Sequence, residues 1–449
     1  MTKSRCPAIL IAAPASGQGK TTVACALARL HMRAGRRVRV FKCGPDFLDP
    51  HWLALASGNP VHQLDLWMTG ESDCAQRLHD AAAQADLIIV EGVMGLFDGE
   101  PSAADLAQRF GLPVLTVIDA GAMAGTFGAL AWGLQTYREG LRFAGVLANQ
   151  VASPGHAEML HTSLRAPEQW QGALMRSEAF TLPERHLGLV LAHELGDAMA
   201  RLDAAADALA ATPLGQMSVA DLQAWAVDFE AAEAAEETVA AGPVSALKGK
   251  SIAVARDAAF CFIYAANTDC LRAMGAKIVY FSPLQASAIP PCDALWLPGG
   301  YPELHGKTLS ANTTMKSSIA AHVASGKPVW AECGGMMALF DRLTALDGTT
   351  WPMWGLLPGT VTLQKRLAAL GAQQLDVNGE VLRGHTFHYS TCTTTMLAAT
   401  RTQAGPGRKL RGEGEALYVS GSVKASYFHA WFTSNPLAAA RLFLKDGDA

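Results

Sequence analysis

None of the nine cysteines in this 449-residue chain has a partner at CxxC spacing; they stand singly at positions 6, 25, 43, 74, 261, 270, 292, 333 and 392. That excludes a zinc ribbon or a disulfide framework read from spacing. Most are expected to be small buried hydrophobes in a reducing, cytoplasmic setting. The chain also lacks an apolar run long enough to span a bilayer. Its first stretch, MTKSRCPAILIAAPASGQGK, has a basic start and a short apolar run. The run flows directly into Gly19-Lys20, so it reads as a buried strand rather than a secretory signal. Basic excess is missing too. The net charge is −4, and the cluster RRVRVFK at 36–42 alternates with apolar residues as a strand does. Neither a membrane nor a nucleic acid is therefore expected as a partner. What the chain does have is apolar bulk: half its residues are hydrophobic, and its length suits two or three domains.

The apolar residues fall into short runs separated by helical patterns. Strands are expected at AILIAA (8–13), VRVFK (38–42), DLIIVEG (86–92), PVLTVID (113–119) and FAGVLAN (143–149). A second set is expected at SIAVAR (251–256), KIVYF (277–281), ALWLPGG (294–300), PVWAEC (328–333) and VKASYFH (423–429). Such a rhythm predicts parallel sheets covered on both faces, an α/β architecture present twice. Between the sets, residues 197–247 are Ala-rich and acidic. There the sequence predicts a helix through MSVADLQAWAVDFEAAEAAEE, with Ser218 and Asp221 as a weak capping pair, then a linker at TVAAGPVSALKGK. The expected domains are 1–196, a helical segment and linker over 197–247, and 248–449.

Strand AILIAA runs into Pro14-Ala15-Ser16-Gly17-Gln18-Gly19-Lys20-Thr21-Thr22, and a helix follows. Glycines let backbone N–H groups approach phosphate oxygens, and the helix N-terminus adds partial positive charge. Lys20 would reach the β/γ-phosphates and Thr21 would coordinate Mg²⁺. The first glycine of the usual phosphate loop is replaced by Pro14; the alternative is an ordinary glycine-rich strand–helix turn. Lys42, Asp46 and Asp49 in FKCGPDFLDP, and Glu91 in IIVEGVMGLFDG, lie at the carboxyl ends of strands, where α/β sheets bind ligands. Asp46 and Glu91 are the Mg²⁺-ligand candidates, since that ion takes oxygen ligands. Asp98 reads as a turn residue. Lys42 is a candidate for a phosphate or substrate contact, with a strand-end salt bridge as its alternative. Asp49 is a second such candidate, with a plain Asp-Pro turn as its alternative.

In VWAECGGMM, a strand ends at Cys333 and Gly334-Gly335 turn the chain into a helix. This placement predicts an exposed thiol with its pKa lowered by the helix terminus. The Gly334 N–H would join an oxyanion hole, and Gly300 of ALWLPGGYPEL would add a second donor. The base expected for this nucleophile is His429, at the end of ASYFHAWF. The roles of His385 and His388 in HTFHYS stay open.

Together these pieces resemble one family over nearly the whole chain, the cobyrinic acid a,c-diamide synthases with the closely similar hydrogenobyrinic acid enzymes. The resemblance is carried by APASGQGKTT, FKCGPDFLDP, EGVMGLFDG, LPERHLGLV, VARDAAFCFIY, LPGGYPEL, SANTTM, AECGGMM, GHTFHYS and ASYFHAWFTSNP. It implies an N-terminal P-loop half similar in fold to dethiobiotin synthetase and a C-terminal half similar to class I glutamine amidotransferases of the cobyric acid type. Cys333 would attack glutamine and His429 would act as base. The position two after the histidine, often an acid in amidotransferases, is Trp431, so a Cys–His dyad is expected unless an acid arrives from elsewhere. ATP, with Mg²⁺, would phosphorylate the a and c side-chain carboxylates of cobyrinic or hydrogenobyrinic acid, and ammonia from L-glutamine would displace phosphate, through a shielded path. A homodimer is left open. The alternative of another class is a nucleotide-switched binding protein with an inert amidotransferase half. Against it stands the absence of the early loop lysine of partitioning ATPases, where this chain has Ala15 and Ser16.

Overall fold

The computed structural model describes residues 3–185, 188–190, 192–232, 245–405, 409–410 and 412–445. It divides into two compact units, Met1–Ala235 and Glu236–Ala449.

The first unit is built on strands β1 (Lys3–Ala12), β2 (Val38–Cys43), β3 (His62–Leu64), β4 (Leu87–Glu91), β5 (Val114–Asp119), β6 (Phe143–Val151) and β7 (Trp170–Met175). They pair in the order β3-β2-β4-β1-β5-β6-β7, all parallel. Successive side chains of a strand face opposite sides, so a sheet covered twice needs apolar residues at every position. β1 shows this directly. Ala8, Leu10 and Ala12 enter one core, and Ile9 and Ile11 enter the other. The order also places the carboxyl ends of β2, β4 and β1 side by side, which assembles the site described below.

The Ala-rich segment contains the helix Ala198–Ala210, which packs on the helix Lys20–Arg33 and is tied to it by Arg29 and Asp203 at 2.6 Å. The helix expected from Ser218 onward is cut short. Ser218 and Asp221 do form a capping box, but the helix covers only Val219–Leu222. The chain then becomes strand β8 (Ala226–Glu230), antiparallel to the first half of β1 with Cys6 opposite Val227. The reason is the period: Val227 and Phe229 are buried while Asp228 and Glu230 are exposed, an alternation of two that suits a strand. The expected linker begins at residue 238, and its residues 238–244 lie outside the described residues, as do His186 and Leu187 of LPERHLGLV.

The second unit carries strands β9 (Ser251–Ala255), β10 (Lys277–Phe281), β11 (Ala294–Leu297), β12 (Val329–Glu332) and β13 (Val423–Ser426). They run parallel in the order β10-β9-β11-β12-β13, and two antiparallel strands, Ala416–Ser420 and Thr400–Arg401, extend the edge. Again both faces are filled: Ala253, Leu295 and Ala331 enter one core, and Trp296 and Trp330 the other. The sequence reading anticipated only the parallel strands. The structure adds a sheet of Phe340–Thr344, Thr350–Pro352, Leu357–Leu363 and Ser390–Thr393, and another of Ala369–Val377, Glu380–His388 and His429–Ala430. The last of these pairs His429 with His385 across the strands. No described helix is long and apolar enough to cross a membrane.

Candidate active site

In the first unit, the loop after β1 turns through Gly17 and Gly19 into the helix Lys20–Arg33. Gly19 has φ 93°, and a Cβ there would meet the Asn149 amide nitrogen at 2.0 Å. Only glycine satisfies both constraints. Lys20 is buried; its Nζ donates to the carbonyls of Met94 (2.7 Å) and Ala15 (3.0 Å), so the ammonium is aimed back over the loop. Burial, then Lys42, lowers its pKa. Thr22 lies in the first turn of the same helix.

Glu91, at the end of β4, sits opposite Ile11 of β1 and Lys42 of β2. That register gathers a charged cluster. Thr21 Oγ1 donates to Glu91 Oε1 at 2.7 Å, and Lys42 Nζ donates to Glu91 Oε1 at 3.0 Å and to Asp49 Oδ2 at 2.6 Å. Lys42 is 2% exposed and Glu91 not at all. Burial opposes the Lys42 ammonium, but Asp49 and Glu91 outweigh it and hold its pKa above the ordinary value. Lys42 in turn holds Asp49 low against burial, while burial pushes Glu91 up to about 7. Asp46 caps its own turn. Its Oδ1 accepts from the Leu48 N–H at 2.7 Å, and burial and Asp49 push its carboxyl up to about 6. Asp98 accepts from the Gly95 N–H at 2.9 Å, the turn role expected of it.

The fit to a divalent cation rests on one atom. Glu91 Oε2 is buried with no hydrogen-bond partner, beside the Thr21 hydroxyl. Among the described residues no group of three or more His, Cys, Asp or Glu side chains is set to hold a metal by itself. A cation here would draw on Thr21, Glu91 and a nucleotide's own phosphates, which is how Mg²⁺ is commonly bound.

Removing Lys42 strands two carboxylates in a buried place. Breaking a buried pair by deleting one partner costs about 3–5 kcal/mol. Lys42→Ala is therefore expected to move the urea unfolding curve of the protein to lower denaturant by that amount. An unchanged curve would show that the cluster does not stabilise the first unit.

In the second unit, Cys333 closes β12 with φ 43° and ψ −108°, a conformation that non-glycine residues rarely adopt. It is held there from both sides: its N–H donates to Ser426 O of β13, and its carbonyl accepts from Met337, each at 2.8 Å. The helix Gly334–Leu339 packs so tightly that a Cβ on Gly335 would lie 2.0 Å from Leu297 O. A Cβ on Gly334 would lie 2.8 Å from the Gly300 nitrogen, so the two expected oxyanion donors are neighbours. Strain concentrated at a nucleophile is a recurrent device.

One expectation is corrected. Cys333 is not an exposed, acidic thiol: it is 4% exposed, and burial, then the charge of Glu303, pushes its pKa up well above the ordinary value. The Gly334 N–H acts in the opposite sense and is outweighed. Exposure does not set Cys333 apart, since Cys392 alone of the nine cysteines is more than marginally accessible, and none forms a disulfide. Backbone strain does set it apart.

His429 is also buried, and its ring brackets the same turn. Its Nδ1 lies 4.0 Å from Glu332 Oε2, the residue before Cys333, and a Cβ on Gly299 would meet its Cε1 at 2.5 Å. Burial, then His385 and His388, keeps its pKa well below the ordinary value, so the imidazole is neutral and free to accept a proton, as a weaker base than an exposed imidazole. His385 stacks on His429 with centroids 5.0 Å apart. His388 stacks on Tyr427 at 3.7 Å, and its Nε2 is 3.1 Å from Glu415.

Glu332, the residue before Cys333, brings a carboxyl to 4.0 Å from the His429 ring. Its Oε1 accepts from Trp330 Nε1 at 2.7 Å, and burial pushes its carboxyl up to about 8. Sequence reasoning passed over it as the tail of a strand. The available signal was a carboxylate inside VWAE, where every residue is buried.

A phosphate loop on a parallel sheet, joined in one chain to a strained cysteine turn on another, defines a class: nucleotide-binding proteins with their own glutamine amidotransferase half. Residues 9–190 match the family described as the CobQ/CobB/MinD/ParA nucleotide binding domain, and residues 251–437 the CobB/CobQ-like glutamine amidotransferase domain. Hydrogenobyrinate a,c-diamide synthase of Stutzerimonas stutzeri is 56% identical over 98% of this chain and 99% of its own length. The Pseudomonas aeruginosa protein of the same name is 54% identical over 100% of both chains. Cobyrinate a,c-diamide synthase of Herminiimonas arsenicoxydans is 48% identical over 97% of this chain and 96% of its own. The chain belongs to the cobyrinate/hydrogenobyrinate a,c-diamide synthase family.

Proposed function

We propose that the chain is a glutamine-hydrolysing ligase that amidates the a and c side-chain carboxylates of a corrinoid acid at the expense of ATP. The observation that carries this reading is the pairing, within one chain related end to end to a,c-diamide synthases, of the Lys20–Thr21–Glu91 cluster with the strained Cys333 turn.

A carboxylate resists ammonia because its charge repels nucleophiles and it has no good leaving group. Its oxygen would attack the γ-phosphorus, ADP would leave, and the resulting acyl phosphate would lose phosphate when ammonia attacks the acyl carbon. Lys20 would follow the β/γ-phosphates, and the N–H groups from Gly17 to Thr22 would hold them. Thr21 and Glu91, with Asp46 as a further oxygen donor, would hold Mg²⁺, which supplies charge neutralisation at the transferring phosphoryl when bound. Lys42 would orient Glu91 and Asp49, and Asp49, bound to Lys42, would serve as a substrate contact at the same strand ends.

Nitrogen release would begin at Cys333. His429 would take the thiol proton, the sulfur would attack the glutamine carboxamide, and the Gly334 and Gly300 N–H groups would meet the oxyanion. Ammonia leaves and water then cleaves the glutamyl thioester. Once His429 is protonated, Glu332 would be drawn in from 4.0 Å to hydrogen-bond it, the new charge also favouring the ionised carboxylate. Hydrogen bonds to charged groups are worth about 1.5–3 kcal/mol, hence about 10- to 100-fold in rate. Glu332→Gln should lower glutamine-driven turnover by that factor with KM for glutamine and ammonia-driven turnover unchanged. A variant indistinguishable from wild type would remove Glu332 from the scheme.

The relatives at 56% and 54% identity are named for the metal-free ring, and the one at 48% for the ring bearing cobalt. Hydrogenobyrinic acid, the second of the two rings expected from sequence, is thereby the first to test. The experiment is to offer each ring with ATP, Mg²⁺ and glutamine and to read product masses. Two acid-to-amide exchanges on either ring support the reading; no exchange on both would end it.

A further inference from the structure

The turn Pro302–His305 follows Gly300 after Tyr301 and packs against Gly334, the residue next to Cys333. A Cβ on Gly334 would lie 2.9 Å from Pro302 Cδ, so the residue after Pro302 starts within the wall of the cysteine site. That residue is Glu303. As a whole it is partly exposed, yet its Oε2 is buried and has no hydrogen-bond partner. None of the ion pairs of the described residues includes it, and no cation contributes to the position of its pKa, which burial alone pushes up to about 7. Its charge is the largest electrostatic influence on the Cys333 thiol after burial itself.

A lone buried carboxylate beside a cysteine that must ionise is unfavourable twice over. It is itself desolvated, and it opposes the thiolate. Both costs vanish if a cation enters with the substrate. Glutamine carries one, the α-ammonium, at the far end of its side chain from the carboxamide that Cys333 would attack. We infer that Glu303 receives the α-ammonium of glutamine and so selects an α-amino acid amide over a plain amide. The inference rests on the reading of the second unit as the glutamine-hydrolysing half. It adds to that reading a reason for the buried thiol: the substrate completes the charge balance that lets the sulfur ionise.

The test compares glutamine with glutaramate, the same γ-amide acid lacking the α-amino group, for wild type, Glu303→Gln and Glu303→Asp, each with ATP and corrinoid acid saturating. Wild type is expected to favour glutamine over glutaramate by about 30-fold or more in kcat/KM, the size of a charge-assisted contact. Glu303→Gln should lose most of that preference through a raised KM for glutamine, Glu303→Asp should retain part of it, and synthesis from ammonium salt should be unaffected in both. Wild type using glutaramate as well as glutamine would overturn the inference whatever the variants do. So would a Glu303→Gln variant that loses activity equally on the two amides. Failure of wild type to make amide even from ammonium would instead strike the reading on which the inference rests.

Discussion

Replacing Cys333 with serine is expected to remove glutamine-driven amide synthesis and leave synthesis from added ammonium intact. Loss of a catalytic nucleophile costs on the order of 10⁶ in rate. The size follows from chemistry: a serine hydroxyl at the same strained turn, φ 43°, has no comparably ionisable group for a neutral His429 to activate. The specificity follows from the separation of tasks. Glu91, Thr21 and Lys42 belong to the first unit and Cys333 to the second. The measurement is amide formation with glutamine and with ammonium chloride at saturating ATP. Equal loss from both nitrogen sources would contradict the division proposed here.

The complementary variant is Lys20→Ala. Its ammonium is held over the phosphate loop by the Met94 and Ala15 carbonyls. Deleting a preorganised charge that meets a transferring phosphoryl costs about 10³-fold or more. Here both nitrogen sources should fail together, because neither can act on a carboxylate that has not been activated. Ammonium-driven synthesis surviving in Lys20→Ala would mean that the loop does not serve phosphoryl transfer.

The contrast between these variants also shows what was legible in the sequence. The parallel strands were, because a strand buried on both faces is apolar along its buried run, as β1 is from Cys6 to Ala12 and β12 from Val329 to Ala331. The phosphate loop and the cysteine turn were, because glycine is demanded where a Cβ would strike Asn149 or Leu297. Strand β8 was not: its alternation over five residues was hidden inside an Ala-rich stretch with a genuine capping box just before it. The partners that tune each site were not legible either. Glu91 meets Lys42 through strand register, and Glu332 meets His429 through the pairing of β12 with β13 and the turn beyond it. The exposed, acidic thiol expected of Cys333 failed for a physical reason. A six-residue helix contributes one lowering N–H, and full burial beside Glu303 outweighs it.

The account turns on a carboxyl group being activated in the first unit independently of the cysteine in the second. The most direct test supplies Cys333→Ser with ATP, ammonium and a corrinoid acid labelled with ¹⁸O in its carboxyl groups, and follows the label by mass spectrometry. Transfer of one ¹⁸O into phosphate for every amide formed is the predicted result. Amide formation with unlabelled phosphate, or no amide at all, would contradict it.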